Sequence, residues 1–88
     1  SPPKPEHILL LVEVAHSSLR YDLTEKARLY ARYGIAEYWV VDVESRVLTR
    51  HLEPSETGYA QIRVARSDDV LEPLLLPGIR LPVADLLA

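Results

Sequence analysis

Two charged residues stand where charges are costly. Glu13 closes the aliphatic run "ILLLVEV", residues 8–14, and Lys26 falls among tyrosines on the helix pattern that follows. Alternate residues of a strand share a face, so Glu13 lies with Leu9 and Leu11. A carboxylate in such surroundings is paired, hydrogen-bonded, neutralised or bound to a metal. At about 100° per residue, Thr24, Glu25, Arg28 and Arg32 gather on one solvated side of the helix and Leu23, Ala27, Tyr30 and Ala31 lie opposite. Lys26 joins neither group and sits one turn from Tyr30. The connector is short, which brings the end of the strand bearing Glu13 and the second turn of the helix bearing Lys26 to one edge of a sheet. Two readings fit this spacing: a structural ion pair, and an acid and lysine pair that works on a substrate. Buried ion pairs add little net stability as a rule, so the first reading leaves their placement poorly explained.

The elements that position this pair are readable. Residues 8–14 lack polar alternation and read as a strand covered on both faces. "HSSLRY" is a connector, and Asp22 followed by Glu25 predicts a capping box that opens a helix running to about Tyr33. Gly34 supplies the stop. "EYWVVDV", residues 37–43, is a second buried strand, with residues 46–53 and 58–65 a third and fourth, joined through "VESR" and "PSETG" turns. Strand, helix and strand make a β-α-β crossover between parallel strands, extended by antiparallel neighbours into a mixed α/β sheet. The proline-punctuated tail, residues 71–88, predicts one short edge strand and a helical turn after Pro82. One helix for two buried strands leaves a sheet face uncovered, which implies a homo-oligomer or a segment upstream of Ser1.

Eighty-eight residues allow one small domain. With 48% hydrophobic and 26% charged residues the composition is that of a folding chain, not a disordered one. No apolar run approaches the roughly 20 residues of a membrane span, so no membrane role is expected, and the chain lacks cysteine, which fits a cytoplasmic protein. The net charge of −3 argues against broad adhesion to nucleic acid but leaves room for a local basic patch. His7, His16 and His51 share no metal-ligand spacing and read as surface or loop residues, with His16 at the rim of the Glu13 edge. Tyr38 and Trp39 read as core aromatics, and Glu37 and Asp42 as residues that cap or turn strand ends.

The stretch "LLLVEVAHSSLRYDLTEKARLYARYGIAEYWVVD" resembles the Uma-two family, restriction-endonuclease-like proteins of the PD-(D/E)XK nuclease superfamily. Glu13, Asp22, Lys26, Tyr30, Gly34, Glu37, Tyr38, Trp39 and Asp42 fall on the family pattern, and the likeness continues to the closing "LPGIRLPVADLL". The resemblance implies a Mg²⁺-dependent DNA endonuclease. Glu13 and the backbone carbonyl of Val14 would be metal ligands, Lys26 would position water or phosphate, and Asp22, Tyr30 and His16 would support them. The superfamily's lysine stands two residues after the glutamate, where this chain has Ala15; here it has moved to the helix. The family's first metal-binding Asp lies on an upstream strand, and only "SPPKPEHI" precedes this one. The expectation is therefore a single partial domain, residues 1–88, with the N-terminal half of the fold absent. The alternative is a non-catalytic remnant acting as an oligomerisation or interaction module.

Overall fold

The computed structural model describes residues 4–88. A 3₁₀ turn at Pro5–His7 leads into β1 (Leu11–Ala15), α1 (Leu19–Leu23), α2 (Glu25–Arg32), β2 (Glu37–Asp42), β3 (Val47–Ser55), β4 (Gly58–Arg66), β5 (Val70–Leu71), β6 (Leu81–Pro82) and α3 (Val83–Leu87). The main sheet has the order β1-β2-β3-β4, with β1 and β2 parallel and the later pairs antiparallel. This is the mixed α/β sheet that the pattern predicts. Strand β2 forms its centre because "EYWVV" has no polar alternation to spare a face for water, and Glu37 through Val41 are all buried.

The helix ends where Gly34 permits. Gly34 has φ +77°, its N–H donates to Ala31 O, and the Ile35 N–H reaches back to Tyr30 O at 3.1 Å. Those two bonds make a Schellman stop, which needs a residue free to take the left-handed conformation. The start of the helix differs from expectation. Instead of one helix capped by Asp22 there are two, and α1 begins at Leu19, inside the presumed connector. Thr24 separates them: its Oγ1 donates to the Arg20 carbonyl at 2.7 Å, and its ψ of −78° breaks the helical path. A threonine hydroxyl bonded to the carbonyl four residues back competes with the helix's own ladder and bends it. Asp22 consequently sits within α1 and is buried, with no capping box around it.

Strand β1 also departs from expectation, because among the described residues it is an edge strand and not one covered on both faces. Val12 is 37% and Val14 52% exposed. The other sheet face, by contrast, is covered from within the chain. Val83 and Leu87 of α3, with Leu71 and Leu81, pack against Trp39, Val41, Leu48 and Ala65. The inference that this face requires a second copy or an absent segment is corrected for β2 to β4, since the proline-rich tail folds back over them. The tail holds a two-stranded ladder, β5 with β6, and α3 starts directly after Pro82. On the opposite face Ala15, Ala27, Tyr38 and Val40 form the core with Leu11, Leu19, Leu23 and Tyr30. Among the described residues no helix is long and apolar enough to cross a membrane.

Candidate active site

Glu13 lies near the C-terminal end of β1 on the helix-covered face, opposite Val40 of the parallel neighbour. Crevices at the carboxyl ends of parallel strands are the usual ligand sites of α/β sheets. Four side chains at four-residue spacing, Ser18, Asp22, Lys26 and Tyr30, form one stripe along α1 and α2 that faces this carboxylate. The Lys26 Nζ donates to Glu13 Oε2 at 2.8 Å, and the Tyr30 hydroxyl donates to Glu13 Oε1 at 2.8 Å. Lys26 also stands 3.4 Å from Asp22 Oδ1, while the Ser18 hydroxyl donates to Asp22 Oδ2 at 3.0 Å. The cluster is partly open: the Glu13 side chain is 20% and the Lys26 side chain 32% exposed.

The two acids differ in how they are held. Glu13 spends one oxygen on Lys26 and one on Tyr30. Asp22 is almost wholly buried, and its Oδ1 has no hydrogen-bond partner, so the neighbouring ammonium is what offsets its charge. The backbone around Asp22 is pinned as well, since the Tyr38 hydroxyl donates to its carbonyl at 3.0 Å. The Glu13 hydrogen bond raises the Lys26 pKa above its ordinary 10.5, and the charges of Glu13 and Asp22 add to it against the opposing effect of burial. Lys26 is thus a permanent cation at neutral pH, fit to hold an anion and unfit to act as a base. Burial, then the bond to Glu13, raises the pKa of Tyr30, which remains a neutral donor.

Of the residues singled out from sequence, the fold brings together Glu13, Lys26, Asp22 and Tyr30. Val14 follows Glu13 on the strand, in register with Val41. His16 is exposed just beyond the strand end and makes no hydrogen bond to the cluster among the described residues. Ser18 was not singled out, although its place four residues before Asp22 is the signal. His51 corrects an expectation: it is buried in the sheet, its ring 5.1 Å from Tyr38 and 5.6 Å from Tyr59, and its Nδ1 pairs with Tyr38 O at 3.0 Å. The alternation of β3 puts it on the helix-covered face, where the aromatic side chains close over it. Asp42 turns its strand end, accepting the Ser45 N–H at 3.2 Å. Glu37 does more than cap and belongs to a separate network with Trp39, Arg50 and the Leu74 N–H. Among the described residues there is no group of three or more His, Cys, Asp or Glu side chains placed to hold a metal ion.

A four-stranded mixed sheet built on a β-α-β crossover, with a few helices, is consistent with the restriction-endonuclease-like fold. The chain belongs to the Uma2 family, described as "Putative restriction endonuclease", whose model matches residues 2–84. No curated protein matches it.

Proposed function

We propose that the Glu13 and Lys26 cluster is the acid and lysine part of a Mg²⁺-dependent endonuclease site that hydrolyses DNA phosphodiesters. The observation that carries this reading is the 2.8 Å contact between a strand-end carboxylate and a helix-borne ammonium that solvent still reaches, in a chain of a restriction-endonuclease-like family. A closed structural pair has no use for that opening.

The donor set suits the ion in kind. Mg²⁺ takes hard oxygen ligands and is commonly held by one or two carboxylates, waters and substrate phosphate, without a full protein cage. Glu13 and the Val14 carbonyl would hold it, with waters and substrate phosphate as its remaining ligands. When bound, it would supply polarisation of a phosphoryl oxygen and a water of lowered pKa. The chain's own residues then divide the remaining work. Tyr30 fixes the Glu13 carboxylate through Oε1 and leaves Oε2 to Lys26. Lys26 exchanges Glu13 for a phosphate oxygen and stabilises the charge that develops there. Asp22, rigid and buried, keeps the ammonium in place as the exchange occurs. The reading goes with a cytoplasmic location.

The test is nicking of supercoiled plasmid by a protein carrying this domain, in Mg²⁺ and in chelator. Glu13→Gln and Lys26→Met are each expected to lower the rate by about 100-fold or more with the fold retained by circular dichroism. Full nicking by both variants would remove the pair from catalysis.

A second reading has one observation of its own. Val12 and Val14 are exposed on β1, with Leu9 exposed just before it, and the outer edge of β1 has no strand beside it among the described residues. Such an edge can accept a strand from another copy or another polypeptide, as an interaction module would. A monomeric mass at micromolar concentration by light scattering, with no partner bound, would count against it.

A further inference from the structure

The five tyrosines divide into two kinds. The hydroxyls of Tyr30, Tyr38 and Tyr59 donate within the fold, to Glu13, Asp22 O and Ile35 O. Tyr21 and Tyr33 are 54% and 57% exposed, and neither hydroxyl is hydrogen-bonded among the described residues. Only Tyr21 lies beside the candidate site, with the Lys26 Nζ 5.9 Å from the centre of its ring, within cation–π range. A half-exposed ring adds little to the core and is free for another role.

The surface around Tyr21 supplies one. The ring is a shared wall between two hollows. The first, of about 420 Å³, includes Ser17, Ser18 and Arg20; the second, of about 320 Å³, includes Arg28 and Arg32; Glu25 borders both. Across residues 19–33 there are four basic side chains, Arg20, Lys26, Arg28 and Arg32, against two acidic ones, Asp22 and Glu25. Lys26 is engaged by Glu13 and Asp22, and Glu25 lies 3.9 Å from Arg28, which leaves Arg20 and Arg32 without an acidic partner among the described residues. This outer face therefore carries an excess of positive charge in a chain whose net charge is −3. An aromatic platform between two arginine-bearing hollows is complementary to a polynucleotide strand, whose base takes the π-face while flanking phosphates meet the cations.

Resting on the nuclease reading above, we infer that Tyr21 is a stacking platform for an unpaired base next to the scissile phosphate, so that the preferred substrate is single-stranded or frayed DNA. Bases inside a duplex are stacked on their neighbours and offer Tyr21 no face. A base on Tyr21 would set the adjoining phosphate within reach of Lys26, which the same ring flanks.

The test separates this inference from the nuclease reading by measuring binding in chelator, where no cleavage occurs. Fluorescence anisotropy of a labelled 12-nucleotide single strand and of a blunt duplex of the same length would be compared for the chain and its variants. Tyr21→Ala is expected to weaken single-strand binding about 5- to 150-fold, the range for losing one base stack, with duplex binding unchanged. Tyr21→Phe keeps the platform and is expected to bind as the parent does; Tyr33→Ala, equally exposed but remote from Lys26, is expected to do the same. Unchanged single-strand binding in Tyr21→Ala, or an equal loss on strand and duplex, overturns the stacking role. If in that case Lys26→Met still abolishes nicking, the nuclease reading stands alone. Failure of the parent chain to bind the single strand overturns the stacking role, and nicking in Mg²⁺ then decides the nuclease reading by itself.

Discussion

The two faces of the sheet each carry an ion pair, and they are built to opposite specifications. On the tail-covered face Glu37 is fully buried. One of its oxygens accepts from the Arg50 Nε and from the Trp39 indole at 2.7 Å, and the other accepts the Leu74 N–H, also at 2.7 Å. Arg50 in turn donates to the Glu72 carbonyl at 2.9 Å. Both Glu37 oxygens are taken by groups of the fold, two of the network's partners lie in the tail, and only the Arg50 end reaches solvent, at 16% exposure. On the helix-covered face Glu13 and Lys26 are reached by solvent, and the buried Asp22 beside them keeps one oxygen without a hydrogen bond. The pair that joins the tail to the sheet is closed at its carboxylate. On the proposed nuclease reading, the other pair would release one partner to a substrate, and it is open at both ends.

The comparison breaks most visibly at Glu37, where the largest effect is expected. Glu37→Gln replaces one acceptor oxygen by a donor facing donors and leaves the guanidinium of Arg50 without its counter-charge, at a cost of about 3–5 kcal/mol in urea denaturation. The tail should loosen first, since Leu74 and Glu72 are joined to the sheet through this network, and amide exchange of Leu74 reports it. Glu13→Gln alters a carboxylate that water reaches and leaves Lys26 beside Asp22, so its loss of stability should fall well below that of Glu37→Gln. Equal losses from the two variants would mean that both pairs serve the fold alike, and the contrast between the faces would be lost.

How far the two networks could be read from the sequence follows from the range over which each is built. Glu13 and Lys26 are 13 residues apart, and strand alternation, helix period and a short connector suffice to bring them together. The Gly34 stop, the buried β2 and the turn after Pro82 are likewise local. Glu37 and Leu74 are 37 residues apart; the contact depends on a proline-rich tail returning across the sheet, for which no periodicity gives notice. His51 was hidden for a similar reason, because a lone histidine in an alternating strand is placed by what covers that face. Thr24 shows a different limit: a local side-chain bond split a helix that the pattern of apolar residues joins. An aliphatic run such as residues 8–14 also does not reveal whether its strand is central or at an edge.

A smaller effect sharpens the role of Tyr30. Its hydroxyl holds Glu13 Oε1, and its ring meets Tyr38 edge-on with centroids 5.0 Å apart. Tyr30→Phe preserves the ring contact and removes only the hydrogen bond to a partly exposed carboxylate, for an expected loss of about 1 kcal/mol in urea denaturation. If the hydroxyl also orients Glu13 for a metal, calorimetric titration with Mg²⁺ should show weaker binding in the variant. A stability loss with unchanged Mg²⁺ binding would make Tyr30 a packing residue only.

The smallest effect is expected from His51, which contrasts the dry interior of the helix-covered face with the open cluster at its edge. Burial among Tyr38 and Tyr59 lowers its pKa below the ordinary 6.5, against the opposing hydrogen bond to the Tyr38 carbonyl. The unfolded chain therefore takes up a proton at His51 before the folded chain does, and by linkage stability falls as pH drops below about 6.5, until the folded histidine also titrates. A single such group contributes at most about 0.7 kcal/mol between pH 7 and pH 6 and never more than about 1.4 kcal/mol per pH unit. Urea denaturation at pH 7 and 6 should show this decline in the parent, and a shallower one in His51→Gln, which keeps a donor for Tyr38 O but cannot titrate. His7 and His16 are present in both chains and cancel in the difference. Identical slopes would mean that His51 takes up its proton without opening the fold, and the aromatic cover over it would have to be wetter than its burial indicates.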